Sequence, residues 1–292
     1  MKIEIMDLGF MGTEEIIASF LLTGEGSAAL VETGPTTCVE NLMRGLEGHG
    51  VAPEEVEKVL LTHIHLDHSG ASGHLAERLP NAVFYVHEVG YPHLVDPSKL
   101  LKSAKQLYGD DMDRLWGEMV PVPEENIRAL SGGETVEGMR VEYTPGHASH
   151  HVSYFDEESG DAYVGDVAGV RIPPAEFVAS PTPPPDIDLE RWSASLDLIE
   201  GRNPALLRLT HFGGYGNVAE HVDQMRGRLA AWGEVAKTAD LERFVQVAEA
   251  EVRASTPDEE TAQCYFQAAP PDQLYLGLDR YWSKKAEREA VG

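Results

Sequence analysis

The sequence predicts a layered fold of the α/β (α+β) class, and three observations support this prediction. Short apolar runs that suit β-strands alternate with segments that have the periodicity of amphipathic helices. No internal repeat of fixed period interrupts this alternation. From residue 217 onward the pattern is helical to the end of the chain. Alternating strands and helices bury their apolar faces by stacking in layers, which favours such a fold over an all-α or all-β one.

The strands are predicted from apolar runs that turn residues separate. In chain order, the predicted strand segments are 15–22, 27–34, 57–63, 81–88, 134–147, 150–166 and 205–214. Two of them, 134–147 and 150–166, contain glycine inside the run and therefore read as strands joined by turns.

The helices are predicted from apolar residues at helical spacing and from the residues that end each helix. The predicted helical segments are 36–50, 69–80, 100–119 and 188–203. Thr36 or Thr37 suits the N-cap of the first helix, and Pro80 stops the second. One face of the last helix carries Leu189, Trp192, Leu196 and Ile199. The segment 91–126 around the third helix is otherwise irregular.

The net charge of the chain indicates which classes of binding partner to expect. The formal charge is −26, from 49 acidic and 23 basic residues, and this field repels phosphate backbones and anionic lipid. We therefore expect a small-molecule substrate, with no nucleic-acid or membrane partner. The first ten residues carry Glu4 and Asp7 where a signal peptide has an uninterrupted apolar stretch, so a cytoplasmic location is expected. Two cysteines, Cys38 and Cys264, imply no disulfide framework.

The stretch HIHLDH concentrates polar side chains directly after an apolar run. In an extended segment His63 and His65 point the same way, so they can bind one ion. As the chain turns into the helix expected to begin near Ser69, Asp67 and His68 become adjacent and turn toward a second position. A strand end that leads into a helix thus provides two pairs of potential metal ligands.

Three further candidate ligands follow apolar runs downstream: His147, Asp166 and His211. Strands of one sheet bring such termini to one edge. Three histidines, or two histidines with carboxylates, suit zinc or another borderline divalent metal. A carboxylate such as that of Asp166 can bridge two ions about 3.5–4 Å apart. Because His211 belongs with His63 in this interpretation, the proline-rich segment 180–188 is expected to be an ordered loop and not an interdomain linker.

Together, THIHLDH at 62–68, TPGH at 144–147, VGD at 164–166 and TH at 210–211 resemble the motifs of the metallo-β-lactamase superfamily, specifically its glyoxalase II-like hydrolases. The resemblance implies a four-layer αβ/βα sandwich that forms a catalytic domain over residues 1–216. Residues 217–292 are then a helical C-terminal extension packed on that domain.

The resemblance also implies the ligand sets. The first metal site would consist of His63, His65 and His147. The second would consist of Asp67, His68 and His211. Asp166 would be shared between the two ions, and Asp67 and Asp166 would be the catalytic carboxylates. His151 would be either a support behind the ligands or an ordinary strand residue.

The implied activity is dinuclear metal-dependent hydrolysis. Two divalent ions, zinc with iron or manganese as alternatives, would activate a bridging hydroxide toward a small ester, thioester or lactone. The alternatives are a mononuclear iron oxidoreductase that resembles persulfide dioxygenases, a small-molecule phosphodiesterase, and a non-enzymatic metal-binding module. A homodimer is a further expectation.

Four positions depart from particular branches of the superfamily. Glu32 in VETGP stands where an aspartate that supports the ligand loop is usual. Asp166 disfavours antibiotic hydrolysis, because true β-lactamases lack this bridge. Gly169 stands where the homoserine-lactone lactonases tend to have tyrosine, which disfavours that activity. Arg171 is the one basic residue in the stretch after Asp166, which disfavours glutathione specificity; it would meet an anionic substrate group or form a surface salt bridge.

Overall fold

A computed structural model describes residues 2–24 and 26–291 of the chain. The chain forms two compact units. The first comprises residues 1–143 and 152–159, and the second comprises residues 144–151 and 160–292. These two units are defined by how compactly the chain packs. The predicted boundary between residues 216 and 217 is defined by a change in sequence pattern, and it stays a prediction.

The first unit contains a mixed six-stranded sheet. Its strands are β1 Lys2–Asp7, β2 Ala18–Thr23, β3 Ala28–Val31, β4 Val56–Leu60, β5 Val83–His87 and β6 Ile127–Leu130, which pair in this order. Strands β1 to β3 are antiparallel, whereas β3 to β6 are parallel. Parallel neighbours need crossover connections, and these connections carry the helices of the unit.

Those helices are α1 Val39–Gly48, α2 Leu66–Ser69, α3 Ser72–Arg78, α4 Tyr91–Val95, α5 Ser98–Tyr108 and α6 Met112–Leu115. Three antiparallel strands, β7 Thr135–Val136, β8 Met139–Tyr143 and β9 Val152–Asp156, complete the unit. The Tyr154 hydroxyl donates to the Leu61 carbonyl at 2.8 Å, and the Val152 amide donates to the Thr62 carbonyl at 2.8 Å. These bonds hold β9 against the segment that follows β4.

The described residues of the second unit form three short strands and five helices. The strands are β10 Asp161–Tyr163, β11 Leu206–Leu209 and β12 Gly213–Tyr215, of which the first two are parallel and the last two antiparallel. The helices are α7 Leu189–Arg202, α8 Val218–Thr238, α9 Leu241–Ser255, α10 Glu259–Ala268 and α11 Pro271–Val291. Trp192 of α7 is fully buried, and its indole N–H donates to the Val167 carbonyl at 2.7 Å.

The predicted fold class is confirmed: the chain is a mixed α/β protein with β-sheets, flanking helices and a helical C-terminal region. Two strands were missed by sequence reasoning. Strand β1 has the sequence KIEIMD, in which exposed Lys2 and Asp7 and half-buried Glu4 interrupt the apolar residues, so it contains no continuous apolar run. Strand β6 is four residues long and carries exposed Arg128. Within residues 2–24 and 26–291, no helix combines the length and apolar character needed to cross a bilayer.

Candidate metal centre

In the first unit, the polar cluster follows the buried end of β4. His63 is fully buried, and its Nε2 atom lies 2.9 Å from Nδ1 of His65. His65 has extended backbone angles and is the last residue of the extended segment before α2. The helix therefore begins at Leu66 and not near Ser69, so Asp67 and His68 lie in its first turn. Nε2 of His68 is 3.7 Å from an oxygen of Asp67.

Glu32 organises these imidazoles from behind. Its side chain is fully buried, the Thr62 hydroxyl donates to Oε1, and the Thr62 amide donates to Oε2 at 3.3 Å. Nδ1 of His68 lies 3.1 Å from Oε1 and carries the proton, because a carboxylate oxygen only accepts. The Thr62 hydroxyl gives its only proton to Glu32 and therefore accepts from Nδ1 of His63 at 3.0 Å. Both rings then present Nε2 as the basic nitrogen.

Ligand atoms of Glu32, His63 and His68 lie within 4.8 Å of one another. The oxygens of Glu32 are engaged by Thr62 and His68, however, so Glu32 holds the imidazoles in place and leaves their Nε2 atoms to coordinate. Carboxylates that accept from the second nitrogen of a metal-bound histidine fix its tautomer and raise its basicity. The expectation that Glu32 supports the ligand loop agrees with these contacts.

In the second unit, His147, Asp166 and His211 are almost completely buried and meet around one carboxylate. Nε2 of His147 is 3.4 Å from one oxygen of Asp166, and Nε2 of His211 is 3.5 Å from the other. Asp166 and His211 follow the parallel strands β10 and β11, whose carboxyl ends share one edge. His147 follows Gly146, whose φ of +139° and close approach to Trp192 leave no room for a side chain.

The hydrogen bonds of His147 decide which of its nitrogens is basic. Its Nδ1 lies 2.8 Å from the carbonyl oxygen of Pro181 and must donate to it. Nε2 therefore carries a lone pair that faces an Asp166 oxygen, so two acceptors oppose each other at 3.4 Å. A cation stabilises such a pair, and imidazole with carboxylate is the donor set of zinc, iron and manganese. The residues present thus fit a divalent metal ion.

The structure brings the predicted ligands together in two groups. The first unit holds His63, His65, Asp67 and His68; the second holds His147, Asp166 and His211. Their assignment to one dinuclear centre stays a prediction. Sequence reasoning missed the roles of Thr62 and Pro181. The position of Thr62 next to His63 was a signal in the sequence, whereas the carbonyl of Pro181 left none.

The structure defines the contacts of His151 and Arg171, for each of which the sequence left two roles open. Nδ1 of buried His151 lies 2.9 Å from the Thr144 hydroxyl, and its ring is 6.1 Å from that of His147, so it supports the TPGH turn. The Arg171 guanidinium stacks 4.2 Å from the centre of the Tyr215 ring. In the described part of the chain the guanidinium thus contacts an aromatic ring and not a carboxylate, so the structure does not support the surface salt bridge.

The family profile described as "Metallo-beta-lactamase superfamily" matches residues 12–211, which is more than half of the chain. The chain belongs to this superfamily. Superfamily members include metal-dependent hydrolases. The metallo-beta-lactamase fold-containing protein ST1585 of Sulfurisphaera tokodaii is 26% identical over 220 residues, which cover 72% of this chain and 79% of that protein.

Two relatives with named activities align over shorter stretches. The thioesterase pkgB of Emericella nidulans is 28% identical over 189 residues, 62% of this chain and 41% of that protein. A hydroxyacylglutathione hydrolase of Synechococcus sp. is 31% identical over 116 residues, 38% of this chain and 34% of that protein. The chain thus matches less than half of the length of either enzyme.

Solved superfamily structures confirm the fold. The crystal structure of the metallo-beta-lactamase family protein TTHA1429 from Thermus thermophilus matches with a TM-score of 0.67 at 21% identity, over 97% of this chain and 94% of that chain. The structure of ST1585 matches with a TM-score of 0.62 at 22% identity, over 79% and 85% of the two chains. The first match extends over the C-terminal helices as well as the superfamily domain.

Proposed function

We propose that this superfamily member hydrolyses small thioesters and esters, lactones included, at a centre of two divalent metal ions, with zinc as the native metal. The observation that carries the proposal is the Asp166 carboxylate, whose two oxygens each face the Nε2 atom of a buried histidine. One carboxylate between two imidazoles suits a ligand shared by two ions. The two relatives with named activities, a thioesterase and a hydroxyacylglutathione hydrolase, support the choice of a thioester.

The proposed centre combines both groups of ligands. One ion would be held by His63, His65 and His147, and the other by Asp67, His68 and His211, with Asp166 shared. When bound, the ions supply Lewis acidity, which activates water at neutral pH and polarises a carbonyl group. Open coordination positions distinguish such a site from a closed structural zinc site.

The residues of this chain supply orientation and proton transfer. Glu32, directly and through Thr62, holds the protons of His68 and His63 on Nδ1, and the carbonyl of Pro181 does the same for His147. Three Nε2 atoms are thereby basic before any metal arrives, which removes the need to reorient the rings. The side chain of Asp67 is 21% exposed, whereas that of His68 beside it is fully buried. Asp67 is therefore placed to accept a proton and pass it to solvent.

The proposal is tested by metal analysis joined to a substrate panel. Purified protein, stripped with a chelator and reloaded with zinc, iron(II) or manganese, is assayed on thioesters, esters, lactones and phosphodiesters. We expect two ions per chain and hydrolysis of the thioesters. Binding of one iron, with oxygen consumption on glutathione persulfide, would instead establish a dioxygenase, and phosphodiester hydrolysis alone would also contradict the proposal.

Matched variants separate the centre from the rest of the chain. Asp166→Asn keeps the shape of the side chain but removes its charge between His147 and His211, so it should abolish most of the hydrolysis. Asp110→Asn makes the same chemical change at an exposed position and should leave hydrolysis unchanged. Equal activity of the two variants would contradict the assignment of Asp166.

A further inference from the structure

Helix α11 lies backbone to backbone against the loop that precedes α7. A Cβ atom on Gly277 would come within 2.0 Å of the Thr182 carbonyl oxygen, so only glycine permits this approach. The buried Thr182 hydroxyl donates to the Leu274 carbonyl at 3.0 Å, one turn earlier on the same helix. The position of Thr182 is therefore set by α11 through a steric contact and a hydrogen bond.

The residue before Thr182 contacts a candidate ligand. The Pro181 carbonyl oxygen accepts the Nδ1 proton of His147 at 2.8 Å. The carbonyl of Pro181 and the amide nitrogen of Thr182 belong to one planar peptide group. A displacement of Thr182 therefore moves the acceptor that fixes the ring of His147.

Other bonds make this loop a rigid support. The Tyr265 hydroxyl of α10 donates to the Phe177 carbonyl at 2.6 Å and accepts from the Ile172 amide at 3.0 Å. At the other end, the Ser149 hydroxyl donates to Asp186 at 2.5 Å, so the turn that carries His147 is tied to the same loop. Because hydrogen bonds hold the loop on both sides of Thr182, we expect a shift imposed at Thr182 to reach the His147 contact.

We propose that α11 is a positioning element of the metal centre. Gly277 and Thr182 hold the Pro181 carbonyl, which keeps the proton of His147 on Nδ1 and its Nε2 aimed at the ion. This inference rests on the proposed function, because it requires that His147 binds metal. Mutation of a group that accepts from the second nitrogen of a ligand histidine typically lowers metal affinity about 10–100-fold. Displacement of such a group should lower the affinity roughly tenfold.

The test substitutes Gly277 and compares the result with a matched glycine. Gly277→Ala places a methyl group against the Thr182 carbonyl, whereas Gly227→Ala, on α8, places the same group in open space. Zinc affinity is measured by competition with a chromophoric chelator, and ligand geometry is measured from the visible spectrum of the cobalt(II)-loaded protein. We expect Gly277→Ala to bind one of the two ions roughly tenfold more weakly and to change the cobalt spectrum. Gly227→Ala should match the wild type in both measurements.

A second pair of variants tests the same proposal if Gly277→Ala does not fold. Thr182→Val removes the hydroxyl that bonds to Leu274 at nearly constant volume, and Thr182→Ser restores it. Weaker zinc binding in Thr182→Val, with recovery in Thr182→Ser, supports the proposal. Wild-type zinc affinity and cobalt spectra in folded Gly277→Ala, or in Thr182→Val, would overturn it while leaving the proposed function intact. A wild-type chain that binds no metal would overturn the proposed function and this inference with it.

Discussion

Glu32→Gln is the most direct test of how the histidines of the first unit are oriented. Within the described residues, the wild-type carboxylate accepts from the Thr62 hydroxyl and Nδ1 of His68 at one oxygen and from the Thr62 amide at the other. The glutamine amide retains only one oxygen. Its NH₂ group must face either the Thr62 amide or the other two donors.

The orientation in which the NH₂ group faces the Thr62 amide leaves the fewest donors unsatisfied. The expected loss of stability is therefore the cost of one buried donor, the Thr62 amide, without an acceptor. No water compensates, because Glu32 is fully buried. An unsatisfied buried group costs about 1–3 kcal/mol, and we expect the free energy of unfolding of the metal-free protein to fall by about that amount. Zinc affinity should also fall about 10–100-fold, because His68 loses its charge-assisted hydrogen bond.

Urea unfolding of metal-free protein measures the first effect, and chelator competition measures the second. Glu157→Gln, at an exposed turn, makes the same change away from the site and should alter the free energy of unfolding by less than about 0.5 kcal/mol. If Glu32→Gln matches the wild type in both stability and zinc affinity, the orientation of His63 and His68 does not depend on the Glu32 carboxylate.

Three further changes have defined outcomes. Asp166→Ala should remove at least one metal ion, because each of its oxygens faces a histidine; full occupancy of both ions in metal analysis would contradict the shared-ligand assignment. Burial lowers the pKa of His221 from 6.5 to about 4, so below pH 6.5 the unfolded chain takes up a proton that the folded chain refuses. Stability of the metal-free protein should therefore fall as the pH drops through this window, by about 3 kcal/mol in total. His221→Gln should flatten that dependence in urea titrations, and an unchanged slope would refute this account. Tyr265→Phe leaves the Phe177 carbonyl without its 2.6 Å donor and should lower the free energy of unfolding by about 1–3 kcal/mol in the same assay; wild-type stability would show that the bond contributes nothing.

The fold class and the proximity of the candidate ligands within each unit were predictable because their signals are local or motif-based. The i, i+2 spacing of His63 and His65 places both rings on one side of an extended segment, and the structure has their nitrogens 2.9 Å apart. The end of an apolar run likewise marked Asp166 and His211 correctly as residues that meet at one sheet edge. The cytoplasmic location and the homodimer stay predictions.

The supports behind the ligands were not predictable, for two physical reasons. Glu32 and Thr62 are 30 residues apart, and only the parallel pairing of β3 with β4 brings them together. Pro181 acts through a backbone carbonyl, which every residue possesses, so no side-chain pattern distinguishes it. The contact between Gly277 and Thr182 was equally hidden, because a glycine within a helix also occurs where nothing lies nearby, as at Gly227.

Residues 144–151 belong to the second unit but lie between two segments of the first, and this has a consequence for the evolution of the protein. Tyr143 and Val152 pair across β8 and β9 in the first unit, while the eight residues between them belong to the second. Neither unit is therefore encoded by one uninterrupted stretch of DNA. A recombination event with a crossover near residue 160 would join a second unit to a foreign copy of His147 and its turn. Lineages should consequently inherit residues 144–211 as a block, and chimaeras that divide this block should lose metal before they lose their fold.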